Sequence, residues 1–360
     1  MMKRHFPDPC MQDNPSITAE DREVVMAVMI MSLIQGETLH CRMIKTDTMR
    51  AYLRAFENMF RRRRLPIPTQ LVPISFANQA IDAYEKWQKL PKRREPLSDE
   101  MCAHLANEGV KDDPDGSDAA VADWMIVGRY LGFRLAEFAQ ESQTSVSIHD
   151  KAKGGDGSPK AFTFDDVFFY YSRTSRRKLT KEQISQITSG NPPMMVTYTW
   201  RYQKNGQNGE QISLVCDNKN KAFCPVRVSV CIMQRAIKND HTSSDQPLGM
   251  FIQRHRPKFL TGDILRRKFQ LAAKVVENID DPDLLSRFSA HSIRVTAANL
   301  LHRAGKDEKY IQKRLRWLSL TFMMYLRNTI QLAEQHTLAT QPSVPLEHLL
   351  LHPTNVPSTL

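Results

Sequence analysis

Toward the C-terminus the chain reads Ala290-His291-Ser292-Ile293-Arg294, then Trp317, then Tyr325 within Met323-Met324-Tyr325-Leu326-Arg327. A histidine and an arginine one helical turn apart can face the same anion. An indole adds a hydrogen-bond donor, and a tyrosine adds a phenol that can act as a nucleophile. These residue types suit covalent chemistry on a phosphodiester. Such an ester resists attack because its oxygens are negative and gain charge in the transition state, so the site needs cations fixed in place. Each piece alone also has an ordinary reading: a surface helix turn for the His and Arg, core packing for the Trp and Tyr. The rest of the site must therefore be sought upstream.

Two upstream segments supply it. Gly132-Phe133-Arg134-Leu135-Ala136-Glu137 carries a second arginine, and Lys204 sits in the polar run Gln203 to Glu210, whose Asn-Gly pair signals a hairpin turn. The order Arg134, Lys204, His291-x-x-Arg294, Trp317, Tyr325 resembles the tyrosine recombinases: phage integrases, Cre and their eukaryotic mobile-element relatives. The resemblance covers about residues 20–335 and includes a helical domain ahead of the catalytic one. Ala161-Phe162-Thr163-Phe164-Asp165-Asp166 and the long basic inserts point to a Crypton-like branch. In one respect the chain departs from the pattern: Trp317 and Tyr325 are 8 residues apart, one fewer than is commonest in the family.

The resemblance implies DNA cleavage and rejoining through a 3′-phosphotyrosine, with Tyr325 as nucleophile. Arg134 and Arg294 would clamp the non-bridging oxygens with planar donors that stay charged, and Arg294 would gain from the first turn of its helix. His291 would take and return the phenol proton, Lys204 would protonate the departing 5′ oxygen, and Trp317 would offer its N–H and a packing surface. Glu137 is expected to support the arginines rather than move protons. The covalent link retains the bond energy, so rejoining requires no ATP, cofactor or metal. The sequence accordingly shows no phosphate-binding glycine loop and no carboxylate cluster.

Composition agrees. The chain has 360 residues, 41% hydrophobic and 25% charged, with a net charge of +11 and a pI near 9.4. That is enough length for two domains, and the charge favours a polyanionic partner, double-stranded DNA first. No apolar run is long enough to span a membrane; Val24 to Ile34 is the most apolar stretch and reads as a buried helix. Cys10, Cys41, Cys102, Cys216, Cys224 and Cys231 show no metal-ligand or disulfide spacing, which suits a reducing compartment, the nucleus of a eukaryote or otherwise the cytoplasm.

The periodicities predict a mainly α protein with a small antiparallel sheet (α+β). Residues 1–17 read as a disordered N-terminus. Residues 18–90 form a helical DNA-binding (core-binding) domain, with helices from Thr18 to Gly36, from a Thr46 or Asp47 cap to Arg64, and from Asn78 to Leu90. The second of these buries Met49, Tyr52, Leu53, Phe56, Met59 and Phe60, and the third buries Ile81, Tyr84 and Trp87. Residues 91–96 are a linker and residues 97–335 the catalytic domain. Ser98 caps that domain's first helix, and a second helix runs from Ala119 to Gly128. Three strands follow, Ala161 to Tyr171, Met194 to Tyr202 and Gln211 to Cys216. From Pro225 the pattern is helical, roughly 225–237, 262–278, 291–304, 307–315 and 318–335, with Gly305 ending the third of these. Residues 336–360 are a tail that packs either on a neighbouring protomer or on its own domain.

This reading expects a C-shaped clamp on duplex DNA, assembled as a homo-oligomer, a tetramer on paired sites. Arg61, Arg62, Arg63, Arg64, Lys92, Arg93, Arg94, Arg176, Arg177, Lys178, Arg266, Arg267 and Lys268 are the candidate phosphate contacts. Two alternatives stand beside it: a catalytically silent, domesticated DNA-binding regulator with the same fold, and a type IB topoisomerase-like enzyme sharing the Arg-Lys-Arg-His-Tyr logic.

Overall fold

The computed structural model of the protein describes residues 16–36, 44–87, 93–172, 174, 177–201, 203, 208–317 and 323. The chain folds as two units, Met1–Pro91 and Lys92–Leu360.

The first unit contains α1 (Ala19–Ile34), α2 (Thr46–Arg62), the single turn α3 (Pro68–Leu71) and α4 (Phe76–Trp87). Thr18 caps α1 in a reciprocal box with Asp21, satisfying N–H groups that a helix start leaves without partners. The core joins Met26 and Ile30 of α1, Met49 and Leu53 of α2, and Ala77 and Ile81 of α4. Several expectations change. Lys45, not Thr46 or Asp47, occupies the cap of α2. Tyr52 and Trp87 are exposed: Tyr52 points about 100° around the helix from its neighbour Leu53, and Trp87 is the last residue of α4. Val24, Val28 and Met31 are exposed as well, so α1 is buried along one face only. Glu23 is buried and accepts from Ser75 Oγ and the Ala77 N–H, tying α1 to the start of α4.

The second unit is built around α6 (Ser117–Leu131), which is flanked by α5 (Asp99–Lys111), α9 (Pro225–Lys238) and α12 (Ser292–Arg303). Its sequence, Ala119-Ala120-Val121-Ala122-Asp123-Trp124-Met125-Ile126-Val127-Gly128, has no sustained polar face, as a helix covered all round requires. Gly128 sets how closely α12 approaches: a Cβ there would fall 2.4 Å from Ile293 Cγ2. Ser98 caps α5 by accepting from the Met101 N–H.

The sheet is antiparallel in the order β1 (Val167–Tyr170), β2 (Met195–Trp200), β3 (Glu210–Val215), with Tyr198 opposite both Val167 and Ile212. The first predicted strand is shortened by a 3-10 turn over Phe164–Asp166, where Asp166 accepts from the Thr163 N–H. One face of the sheet meets a cluster of rings, Trp124, Phe133, Phe138, Phe162, Tyr198 and Trp200, at centroid separations of 5.2–6.4 Å. Pairs of this kind each add roughly 0.5–1.5 kcal/mol beyond area burial.

The remaining elements are α7 (Leu135–Phe138), α8 (Lys181–Ser185), β4 (Met250–Gln253), β5 (Arg256–Phe259), α10 (Gly262–Glu277), α11 (Pro282–Leu285) and α13 (Glu308–Arg314). The helical pattern expected from Pro225 onward is therefore interrupted by a β4–β5 hairpin whose turn places Arg254 and His255 at positive φ. The apolar run Leu248 to Ile252 is too short to decide between helix and strand by period alone. The predicted helix 318–335 lies outside the described residues except for Met323, and the tail lies outside them entirely.

Candidate active site

The site residues come from the ends of helices. α6 stops at Gly132, whose φ of 56° reverses the chain. A Cβ there would meet Leu315 Cδ2 at 2.7 Å, so a larger residue would force that side chain to shift as well as strain the left-handed backbone. Two residues later Arg134 opens the short helix α7. Glu137 folds back beneath it, accepting from the Arg134 backbone N–H at 3.0 Å and from Arg134 Nη1 at 3.2 Å. Arg134 Nη2 donates to the Arg316 carbonyl at 3.1 Å. The Arg134 side chain keeps 30% of its exposure while Glu137 keeps 9%, so the arginine can reach solvent and its counter-charge is held inside.

His291 and Arg294 lie at the start of α12. His291 is the residue before the first turn, and Arg294 is in that turn. Arg294 is buried. It donates to the Gly132 carbonyl through Nη1 and to the Leu315 carbonyl through Nη2 at 2.7 Å. Its guanidinium carbon lies 4.5 Å from the centre of the Trp317 ring, within cation–π range. The His291 imidazole is pulled below its ordinary pKa, first by burial and then by the positive charges of Arg294 and Arg94. It is therefore neutral at ordinary pH and suited to accept a proton.

Arg134 and Arg294 thus both bond to the turn Leu315-Arg316-Trp317, while His291 lies with Arg94 and Arg266 along a groove at the start of α12. Lys204 and Tyr325 lie outside the described residues, and their chemistry remains an expectation from sequence.

Arg316 was not singled out by the sequence, yet its side chain is anchored inside the site. It is 1% exposed. Its Nη2 donates to Glu137 at 2.9 Å, its Nη1 to the Leu131 carbonyl at 3.2 Å, and its guanidinium carbon lies 3.8 Å from the Trp200 ring centre. Its φ is 56°, a left-handed conformation that costs a residue with a Cβ roughly 1–2 kcal/mol. Glu137 therefore stands between two guanidiniums. Glu137 thereby has a second partner that no spacing rule revealed, since a left-handed φ and a contact between residues distant in sequence leave no local motif.

The candidate phosphate contacts divide into several groups. Arg61, Arg62, Arg63 and Arg64 are exposed at the end of α2. Arg93 and Arg94 are exposed, and Arg94 Nη1 donates to the Ser286 carbonyl. Arg266 and Arg267 are paired with Asp263, and Lys268 lies 2.6 Å from Asp118, so these three are less available than their sequence suggests. Arg177 is exposed, and Lys178 rests on the Phe168 ring. Lys92 and Arg176 lie outside the described residues. Arg94, Arg266, Ser289 and His291 line one open groove with Leu135 and Gly262.

No protein-family model and no curated protein matches the chain. Among solved structures it is similar to XerA recombinase, with 16% identity over 91% of this chain and 84% of that one and a TM-score of 0.38. It is similar to the Tn1549 transposon integrase in complex with transposon right-end DNA, with 13% identity over 90% and 86% and a TM-score of 0.46. A third is a lambda integrase dimer bound to a core site, with 12% identity over 92% and 95% and a TM-score of 0.37.

Proposed function

We propose that the chain is a site-specific DNA strand transferase of the tyrosine-recombinase type. The observation that supports this reading is that Arg134 and Arg294, far apart in sequence, both bond to the turn Leu315-Arg316-Trp317, with Arg294 over the Trp317 ring and His291 one turn before Arg294 on the same helix start. A pre-held pair of guanidiniums, one buried and one reaching solvent, beside a neutral imidazole is the electrostatic setting that a phosphorane-like transition state needs.

In this reading the Tyr325 Oη attacks the phosphorus as His291 takes its proton. The new Tyr325 O–P bond forms while the P–O5′ bond breaks, and the 5′ oxygen receives a proton from Lys204. The 3′-phosphotyrosine is then attacked by a 5′ hydroxyl and the same steps run in reverse. Arg134 and Arg294 carry the growing negative charge on the non-bridging oxygens. Double-stranded DNA is the partner, and a homotetramer on paired sites would complete the exchange. The Crypton-like character rests on the Ala161 to Asp166 segment and the basic inserts, and it would place the protein in a eukaryotic nucleus.

The test uses duplexes selected by the protein from a random pool and then nicked near the centre of the bound site, so that cleavage releases a fragment and traps the adduct. Wild type should yield a covalent protein–DNA species on a denaturing gel. Tyr325→Phe should lose it while binding is kept. An adduct that persists with Phe at 325 makes another residue the nucleophile. Binding without any adduct identifies a silent DNA-binding regulator, and relaxation of supercoiled plasmid lacking the selected site identifies a topoisomerase.

A further inference from the structure

Arg316 has a second relation to the arginines besides sharing Glu137 with Arg134. Its Cα lies between two peptide units whose carbonyls do different jobs: the Leu315 carbonyl accepts from Arg294, and the Arg316 carbonyl accepts from Arg134. The backbone dihedrals at Arg316 therefore set the direction of both acceptors at once. A right-handed φ would turn one of these carbonyls away from its arginine. The observed φ of 56° is unfavourable for a residue with a Cβ, and the surroundings must hold it. Here the side chain itself does so, pinned by Glu137, the Leu131 carbonyl and the Trp200 face.

We propose that Arg316 is a positioning residue for the phosphate clamp: its buried side chain locks the Leu315-Arg316-Trp317 turn in the left-handed form that aims one carbonyl at Arg134 and the next at Arg294. It touches no DNA. The inference rests on the strand-transferase reading for its functional consequence and on geometry alone for its structural one. A glycine at this position would allow the same φ without any anchor, so conformation and anchoring can be separated by substitution.

The experiment compares wild type with Arg316→Gly, Arg316→Ala and Arg316→Lys. Single-turnover adduct formation on the nicked, selected duplexes is measured beside the Kd for the same duplexes. The Gly and Ala variants should slow adduct formation about a hundredfold, the usual effect of misplacing a catalytic group by an ångström, with little change in Kd. Lys keeps the charge but not the planar fork and should restore only part of the rate. In an Arg134→Ala background the further loss caused by Arg316→Ala should shrink, because residues acting as a unit are not additive; a loss that adds in full makes Arg316 a stability residue only.

A second readout needs no DNA. In arginine-labelled protein, hindered rotation about the Nε–Cζ bonds of Arg134 and Arg294 should be visible by NMR in wild type and lost in Arg316→Gly. If wild type forms no adduct but this restriction depends on Arg316, the strand-transferase reading fails and the positioning role stands. If wild type forms the adduct and the Arg134 and Arg294 signals are unchanged in Arg316→Gly, the positioning role is wrong. Should the Ala variant fail to fold, the Gly and Lys variants carry both measurements.

Discussion

Arg134 Nη2 donates to the backbone carbonyl of Arg316 at 3.1 Å across 182 residues of chain. The hydrogen bond joins the loop after α6 to the turn after α13, and Glu137 closes the ring by accepting from both residues' guanidiniums. A carboxylate shared by two cations, one of them fully buried, is a point where small changes have large effects.

Removing that carboxylate should cost stability. Glu137→Ala leaves the buried Arg316 charge uncompensated, which is expected to lower the unfolding free energy by about 3–5 kcal/mol. The Arg303–Asp99 pair, 3.6 Å apart and half-exposed on both sides, is the control; Arg303→Ala should cost less than about 1 kcal/mol. Urea denaturation of the two variants decides the matter, and equal losses would mean that the Glu137–Arg316 pair contributes no more than a surface contact.

The pH response of His291 follows from the sign of its shift. Its folded-state pKa is lowered below the ordinary 6.5 by burial, Arg294 and Arg94. Above 6.5 the imidazole is neutral in both folded and unfolded states and adds no pH dependence. As pH falls below 6.5 the unfolded chain takes up the proton first, so stability is lost down to the folded pKa and is level beneath it. His291→Gln should remove that part of the acid destabilisation. Adduct formation, which needs the neutral ring, should hold its rate below pH 6.5 before declining. A midpoint above 6.5 in single-turnover assays would contradict the assignment of His291 as the base.

Lys204 can be tested chemically. If it protonates the leaving 5′ oxygen, Lys204→Ala should cut adduct formation by about 100–10,000-fold on ordinary DNA, the usual range for a general acid. A substrate with sulfur in the 5′ bridging position needs no such help, because a thiolate is a far better leaving group. The variant should then cleave it at close to the wild-type rate. A variant equally slow on both substrates would place Lys204 in binding or folding.

The groove lined by Arg94, Arg266 and His291 should carry part of the DNA backbone. Arg94→Ala with Arg266→Ala should lower the slope of log affinity against log salt by about 2. Asp263 lies on Arg266 and Arg267, and the hydrogen bond from Arg266, then the charges of both arginines, hold its carboxyl below the usual range. Asp263→Asn should therefore release both arginines and tighten DNA binding at low salt. Unchanged binding in the Asn variant would place the DNA path elsewhere.

Much of the fold was legible because periodicity reports burial. The helix start at Thr18, the cap at Ser98, the β2–β3 pairing and helices α9, α10, α12 and α13 follow the apolar spacing and turn chemistry of their own segments. The misreadings are also local. Tyr52 and Trp87 fell on plausible apolar faces, yet a small helical unit has too little core to cover every aromatic it displays. The β4–β5 hairpin was missed because a short apolar run fits either period.

By itself the sequence determined which residue types the candidate site draws on and their order along the chain, since Arg134, the His291-x-x-Arg294 pair and Trp317 are matters of spacing. Only the tertiary structure decided what holds them. Arg316 sits among cationic and aromatic neighbours with no motif to mark it, and its role arises from its bonds to Leu131 and Glu137 and its stacking on Trp200, each distant in sequence. A left-handed backbone at a buried arginine is stable only when packing and a counter-charge converge on it, and that convergence is a property of the folded chain.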